Sequence, residues 1–155
     1  MNNSVSIRNL SPTHLAIVPI TGVQNITEAF QTLLKWAGPK GLLIENEYKV
    51  LMVYHDSFKN TAPDKVRMSA GLRLVDSMSK DGEIEPLTLP GGKHIVGTFE
   101  IPTQAFGQYW EELFKWMNEN GYEKANADPF EIYHNDFNKH PQKLCLVNFC
   151  IPING

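Results

Sequence analysis

Much of this chain is written twice. Leu33–Trp36 reads LLKW and Leu113–Trp116 reads LFKW, 80 positions apart. Tyr54-His55-Asp56 meets Tyr133-His134-Asn135 at 79. Lys65-Val66 meets Lys143-Leu144 at 78, and so does Ile17-Val18 with Ile95-Val96. Anchors that hold one order with this little drift mark a tandem duplication. That restricts the fold strongly. Both copies must take the same element order, and neither copy buries enough of its own sheet face to stand alone.

Each copy opens on a strand, HLAIVPI or KHIVGTFEI. A helix follows. Ile26, Phe30, Leu33, Leu34 and Ala37 share one helical face in the first copy, and Phe106, Trp110, Leu113, Phe114 and Met117 do so in the second. The helices are expected to stop at Gly38-Pro39 and at Asn118-Glu119-Asn120-Gly121. A strand pair closes each copy: YKVLMVYH with KVRMSAGLRLV, and PFEIYH with KLCLVNFCI. The fold class is therefore α+β, a tandem β-α-β-β duplication. Its form is one antiparallel sheet, or two side by side, with both helices on one face and a pseudo-two-fold axis between the halves. The expected boundaries are repeat one at 12–76, a linker at 77–91 and repeat two at 92–153, all within one domain, 1–155. Pro90-Gly91-Gly92 turns the chain into the second copy.

Composition narrows the function. A net charge of −3 and few consecutive basic residues argue against a general nucleic-acid binder. No signal peptide and no membrane-length apolar run is visible, so the expected location is the cytoplasm. Cys145 and Cys150 fall on opposite faces of one strand and read as small apolar residues in a reducing compartment. The histidines His55, His134 and His140 have no zinc-ligand spacing, so no metal site is expected, and no cofactor motif is present.

The segments LPGGKHIVGTFEIP, WEELFKWMNENGYE, PFEIYHND and PQKLCLVNFCIPI, with VLMVYHDSFKNTAPDKVRMSAGLRL in the first half, resemble the GyrI-like (gyrase-inhibitor-like) small-molecule-binding domain. That domain is also the effector-binding half of some AraC- and MerR-type transcription regulators. The resemblance implies a cavity between the halves, aromatic and apolar with one buried acid, that often accepts lipophilic cations or drug-like compounds. It also implies a stand-alone form that does not itself bind DNA, because no helix-turn-helix segment precedes the module. The expected partner is a small apolar or cationic organic molecule, and the expected state a monomer or weak dimer.

Phe130–Asp136, FEIYHND, shows where the two copies part. Glu131 sits in an apolar strand where the first copy has Met52. A dehydrated, unpaired carboxylate costs several kcal/mol. A cationic ligand would supply the partner, and each nearby ring about 0.5–2 kcal/mol of cation–π attraction. The alternative is an acid on a solvent-facing strand edge; the resemblance places Glu131 at the family's pocket acid. Tyr133 shares its face. Met52 and its neighbour Tyr54 hold the twin positions, and Trp110 and Phe149 are further candidate walls. For each aromatic, plain core packing is the competing reading, as it is for the twin pair Trp36 and Trp116.

Three functions follow: a multidrug-type binding protein; a hydrolase of reactive cyclopropane-bearing toxins, with Glu131 positioning or deprotonating water and Tyr133 (or Tyr54) donating to the developing oxyanion; or a protein inhibitor of DNA gyrase, which the resemblance suggests by name alone.

Overall fold

The computed structural model describes residues 3–155. Ten elements follow in order: β1 (Ser4–Leu10), β2 (Thr13–Thr21), α1 (Ile26–Ala37), β3 (Val50–Tyr54), β4 (Arg67–Leu74), β5 (Glu85–Leu89), β6 (Gly92–Ile101), α2 (Phe106–Glu119), β7 (Phe130–Tyr133) and β8 (Cys145–Pro152). They form two compact units, one of Pro12–Pro90 and one of residues 91–155 together with β1. The architecture is α+β, and every pairing described below is antiparallel.

In the unit of the first repeat the strands run β3-β4-β2-β5. In the other they run β7-β8-β6-β1. The two orders match strand for strand, which is compatible with a duplication. The register carries the match further. Met52 faces Ala70 and Glu131 faces Phe149, so one offset of 79 aligns both members of the pair.

Two strands go beyond the β-α-β-β expectation. The segment expected as a linker contains β5, and the lead-in before the first copy is β1. Each lies two residues ahead of its own repeat's first strand yet pairs with the other repeat's: β1 with β6, and β5 with β2. Val5 and Ile7 alternate with polar Ser4, Ser6 and Arg8, and this two-residue period packs the apolar pair onto the core. Pro86, which cannot donate to a ladder, is tolerated because β5 is the outermost strand in its unit's order.

Each helix lies on its own unit's sheet. Ala29, Leu33 and Ala37 of α1 are buried against Ala16, Ala70 and Leu72. Leu113 and Met117 of α2 are buried against Ile95, Phe99, Ile101, Val147 and Phe149. Burying a leucine, isoleucine, methionine or phenylalanine among these contributes about 1.5–3 kcal/mol each, and an alanine less. The helix ends explain the LxKW repeat. After α2 the Tyr122 N–H bonds to Met117 O and the Gly121 N–H to Asn118 O, with Gly121 at φ 77°. That is a Schellman stop, and the Trp116 ring stacks on Tyr122 across it. The α-helix α1 ends at Ala37, with the expected Gly38-Pro39 breaker following directly. One 3₁₀ turn carries the chain to Gly41, at φ 72°, where Leu42 N–H bonds to Ala37 O. No helix of the described residues is long and apolar enough to cross a membrane.

Candidate ligand site

Glu131 is only 1% exposed, although it sits on a four-residue strand. Its position two residues from Tyr133 sets both side chains on one face, as the strand period requires. The Tyr133 hydroxyl donates to Glu131 Oε1 at 2.5 Å. The Trp110 indole N–H, reaching down from α2, donates to Oε2 at 2.7 Å. An indole N–H has no acceptor role, so Oε2 must accept. Two charge-assisted bonds hold the carboxylate at about 1.5–3 kcal/mol each.

Phe149, the cross-strand neighbour of Glu131, is fully buried. The Trp110 ring stacks on it with centroids 4.4 Å apart and planes 5° from parallel. Phe99 and Phe106 each meet Phe149 edge-on at 5.2 Å. Phe114 lies 5.9 Å along from Trp110 on the same helix. The site needs a residue without a side chain at Gly97, opposite Phe149, because a Cβ there would fall 2.5 Å from the Phe99 ring. One wall of the carboxylate's surroundings is thus a packed aromatic cluster.

Four of the six expected ligand residues, Glu131, Tyr133, Trp110 and Phe149, come together in this unit. Met52 and Tyr54 lie on β3 of the other. Met52 is 1% exposed, and Tyr54 is half-buried and edge-on to Phe58 at 5.0 Å. In the first copy Met52, Ala70 and Phe30 stand where the second has Glu131, Phe149 and Trp110. The acid, its N–H donor and the ring under that donor are therefore present together or absent together. Phe99 was not singled out from the sequence. Its signal was the small residue two positions before it in β6, which leaves room for a folded-back ring.

The polar part of the repeated phrase serves the fold. His55 Nε2 meets Ser69 Oγ at 2.8 Å and His134 Nε2 meets Asn148 Oδ1 at 2.5 Å, again one offset of 79. Asp56 accepts the Arg67 backbone N–H and Asn135 that of Leu146, at 2.9 and 2.8 Å. These bonds pin the loop to the next strand. The Arg67 guanidinium and backbone N–H hold the Asp56 carboxyl down at about 2, against an ordinary 3.8. Burial, with the Glu131 charge a smaller cause, pushes the Cys145 thiol up to about 12, and burial does the same for Cys150. Neither is a nucleophile at neutral pH. Among the described residues no three His, Cys, Asp or Glu side chains are grouped to hold a metal. An open depression of about 340 Å³ lies in the first unit, lined by Pro19, Ile20, Thr21, His55, Arg67 and Met68, and it includes none of the six expected ligand residues.

The GyrI-like small molecule binding domain family matches residues 4–154. A curated relative, DNA gyrase inhibitor 2 of Dickeya dadantii (strain 3937), is 28% identical over 114 residues, 71% of this chain and 70% of its own. Among solved structures the EcmrR C-terminal domain superposes with a TM-score of 0.76 at 14% identity, covering 99% of both chains. A hydrolase from Listeria innocua gives 0.74 at 12%, covering 97% of this chain and 92% of that one. SAV2435 bound to tetraphenylphosphonium gives 0.63 at 14%, covering 98% and 94%. At these identities the structural likeness shows the fold alone.

Proposed function

Because the chain belongs to the GyrI-like small molecule binding domain family, we propose that it captures largely apolar organic cations at Glu131. The observation that carries this reading is a carboxylate 1% exposed beside a cluster of four aromatic rings. A buried anion is stabilised by a cation that loses its own hydration easily, and lipophilic cations are of that kind. The rings supply apolar area and cation–π attraction, and the single acid supplies orientation. Trp110, Tyr133 and Phe149 are the proposed lining around Glu131. The tetraphenylphosphonium-bound neighbour is in keeping with this class of ligand.

Tryptophan-fluorescence titration with tetraphenylphosphonium tests the proposal. Glu131→Gln keeps the shape and removes the charge. It is expected to weaken binding by about tenfold or more, the scale of a charge-assisted contact. Equal affinity in wild type and Glu131→Gln would refute the role of the charge.

The 2.5 Å contact between Tyr133 and Glu131 favours a second reading, hydrolysis of an electrophilic, cyclopropane-bearing compound. Glu131 would activate water and Tyr133 would turn its hydroxyl to the developing oxyanion. Product formation beyond one equivalent per protein, seen by mass spectrometry and lost in Glu131→Gln, decides between turnover and capture.

A further inference from the structure

The proposed cation site is already filled by the protein's own groups. Oε1 of Glu131 takes the Tyr133 hydroxyl and Oε2 the Trp110 indole N–H. With 1% of the residue exposed, an incoming cation has no direct approach to either oxygen. One donor must leave first. Tyr133 is two residues along the same strand, so its bond is local and is remade whenever the strand forms. Trp110 reaches across from α2, is half-buried, and lies nearly coplanar with Phe149. Its release gives up the bond to Oε2 and uncovers a face of Phe149 together.

We propose that Trp110 is the specificity-determining residue of this site: its indole is a self-ligand, and only a cation that also brings an aromatic surface displaces it. The inference rests on the cation-binding reading above. A small ammonium replaces the N–H but leaves the Phe149 face uncovered, so it loses to the indole. A cation carrying phenyl groups replaces both. The first repeat carries Phe30, without an N–H, at the position of Trp110, and Met52, without a charge, at that of Glu131. The self-ligand therefore occurs only where there is an acid to guard.

Tetraphenylphosphonium and tetramethylammonium, equal in charge and unlike in ring content, are titrated into wild type, Trp110→Phe and Trp110→Ala. Binding is read by calorimetry and folding by circular dichroism. Wild type is expected to bind the phenyl-bearing cation and not the other. Trp110→Phe, which keeps a ring and deletes the N–H, is expected to bind tetraphenylphosphonium about tenfold tighter, the scale of one charge-assisted hydrogen bond. Trp110→Ala is expected to admit tetramethylammonium. If Trp110→Phe binds equally or more weakly while wild type binds, Trp110 is a wall and not a competitor, and this inference falls alone. If neither wild type nor any variant binds either cation, the cation site itself falls and takes the inference with it. A measurement without substitution covers the case of a misfolded variant. The Trp110 indole N–H resonance of wild type should be protected from exchange when free and lose protection with tetraphenylphosphonium; retained protection in the complex overturns the inference.

Discussion

Replacing Glu131 with methionine gives the second repeat the first repeat's residue, and the structure sets the expected energetics. Burying an ionised carboxylate costs several kcal/mol. The two donors at 2.5 and 2.7 Å return about 1.5–3 kcal/mol each, so the acid is close to neutral for stability. Glu131→Met removes both sides of that balance and takes this acceptor from the Trp110 N–H and the Tyr133 hydroxyl. An orphaned donor costs about 1–3 kcal/mol, less here because both residues are half-buried and partly reach water. The single variant should lose about 1–3 kcal/mol. Adding Trp110→Phe and Tyr133→Phe removes both donors and leaves a more apolar cluster. Apolar replacement of buried charged groups has been neutral or stabilising by about 1–4 kcal/mol. The triple variant should therefore recover wild-type stability or exceed it, while losing cation binding. Urea unfolding followed by both tryptophan fluorescence and far-ultraviolet dichroism measures this, with coincident transitions required before a free energy is taken. A triple variant less stable than Glu131→Met alone would refute the reasoning. It would mean that the hydrogen-bonded acid stabilises the fold and is not a group retained at no gain in stability.

The pH dependence has a defined sign at Asp56. Its folded value, about 2, lies below its ordinary 3.8, so the stabilisation is present above 3.8 and is lost as pH falls toward 2. Asp56→Asn should lower the melting temperature at pH 6, and the gap to wild type should close as pH approaches 2; a gap that persists at pH 2 contradicts the assignment. Cys145 and Cys150 are buried with thiols near 12, so a thiol reagent at neutral pH should modify neither in the native protein and both in denaturant. Rapid labelling of the native protein would show that this core opens.

The element order, the helix faces and the placing of Glu131 against Met52 were legible because side-chain period and repeat offset are one-dimensional signals. The four residues gathered at the acid were named from the sequence. Their mutual geometry was not, since a stacking plane on Phe149 and a donor from α2 depend on how far apart helix and strand lie. Gly41 escaped notice because Gly38-Pro39 is the louder breaker. Yet proline is tolerated in the first turn of a helical segment, and it is Gly41 that takes the left-handed conformation. The loop histidines read as surface residues by type, but each is tied to a strand by its ring nitrogen. The strands β1 and β5 were missed for another reason. Each has its partner in a segment far along the chain.

That distance has a consequence for how the protein is made. The unit of Pro12–Pro90 is continuous, and all its pieces have left the ribosome once Pro90 has. The other unit needs β1 together with strands that follow it by more than 80 residues. β1 emerges well before β6 and waits for it, with Leu10 held in reserve for Gly92, and with Val5 and Ile7 without their partners meanwhile. Closing so long a loop late is slow, and an apolar strand left open in the interval is a site for misassociation. Deleting Ser4–Ile7 should therefore harm the unit that carries Glu131 more than the unit those residues adjoin in sequence.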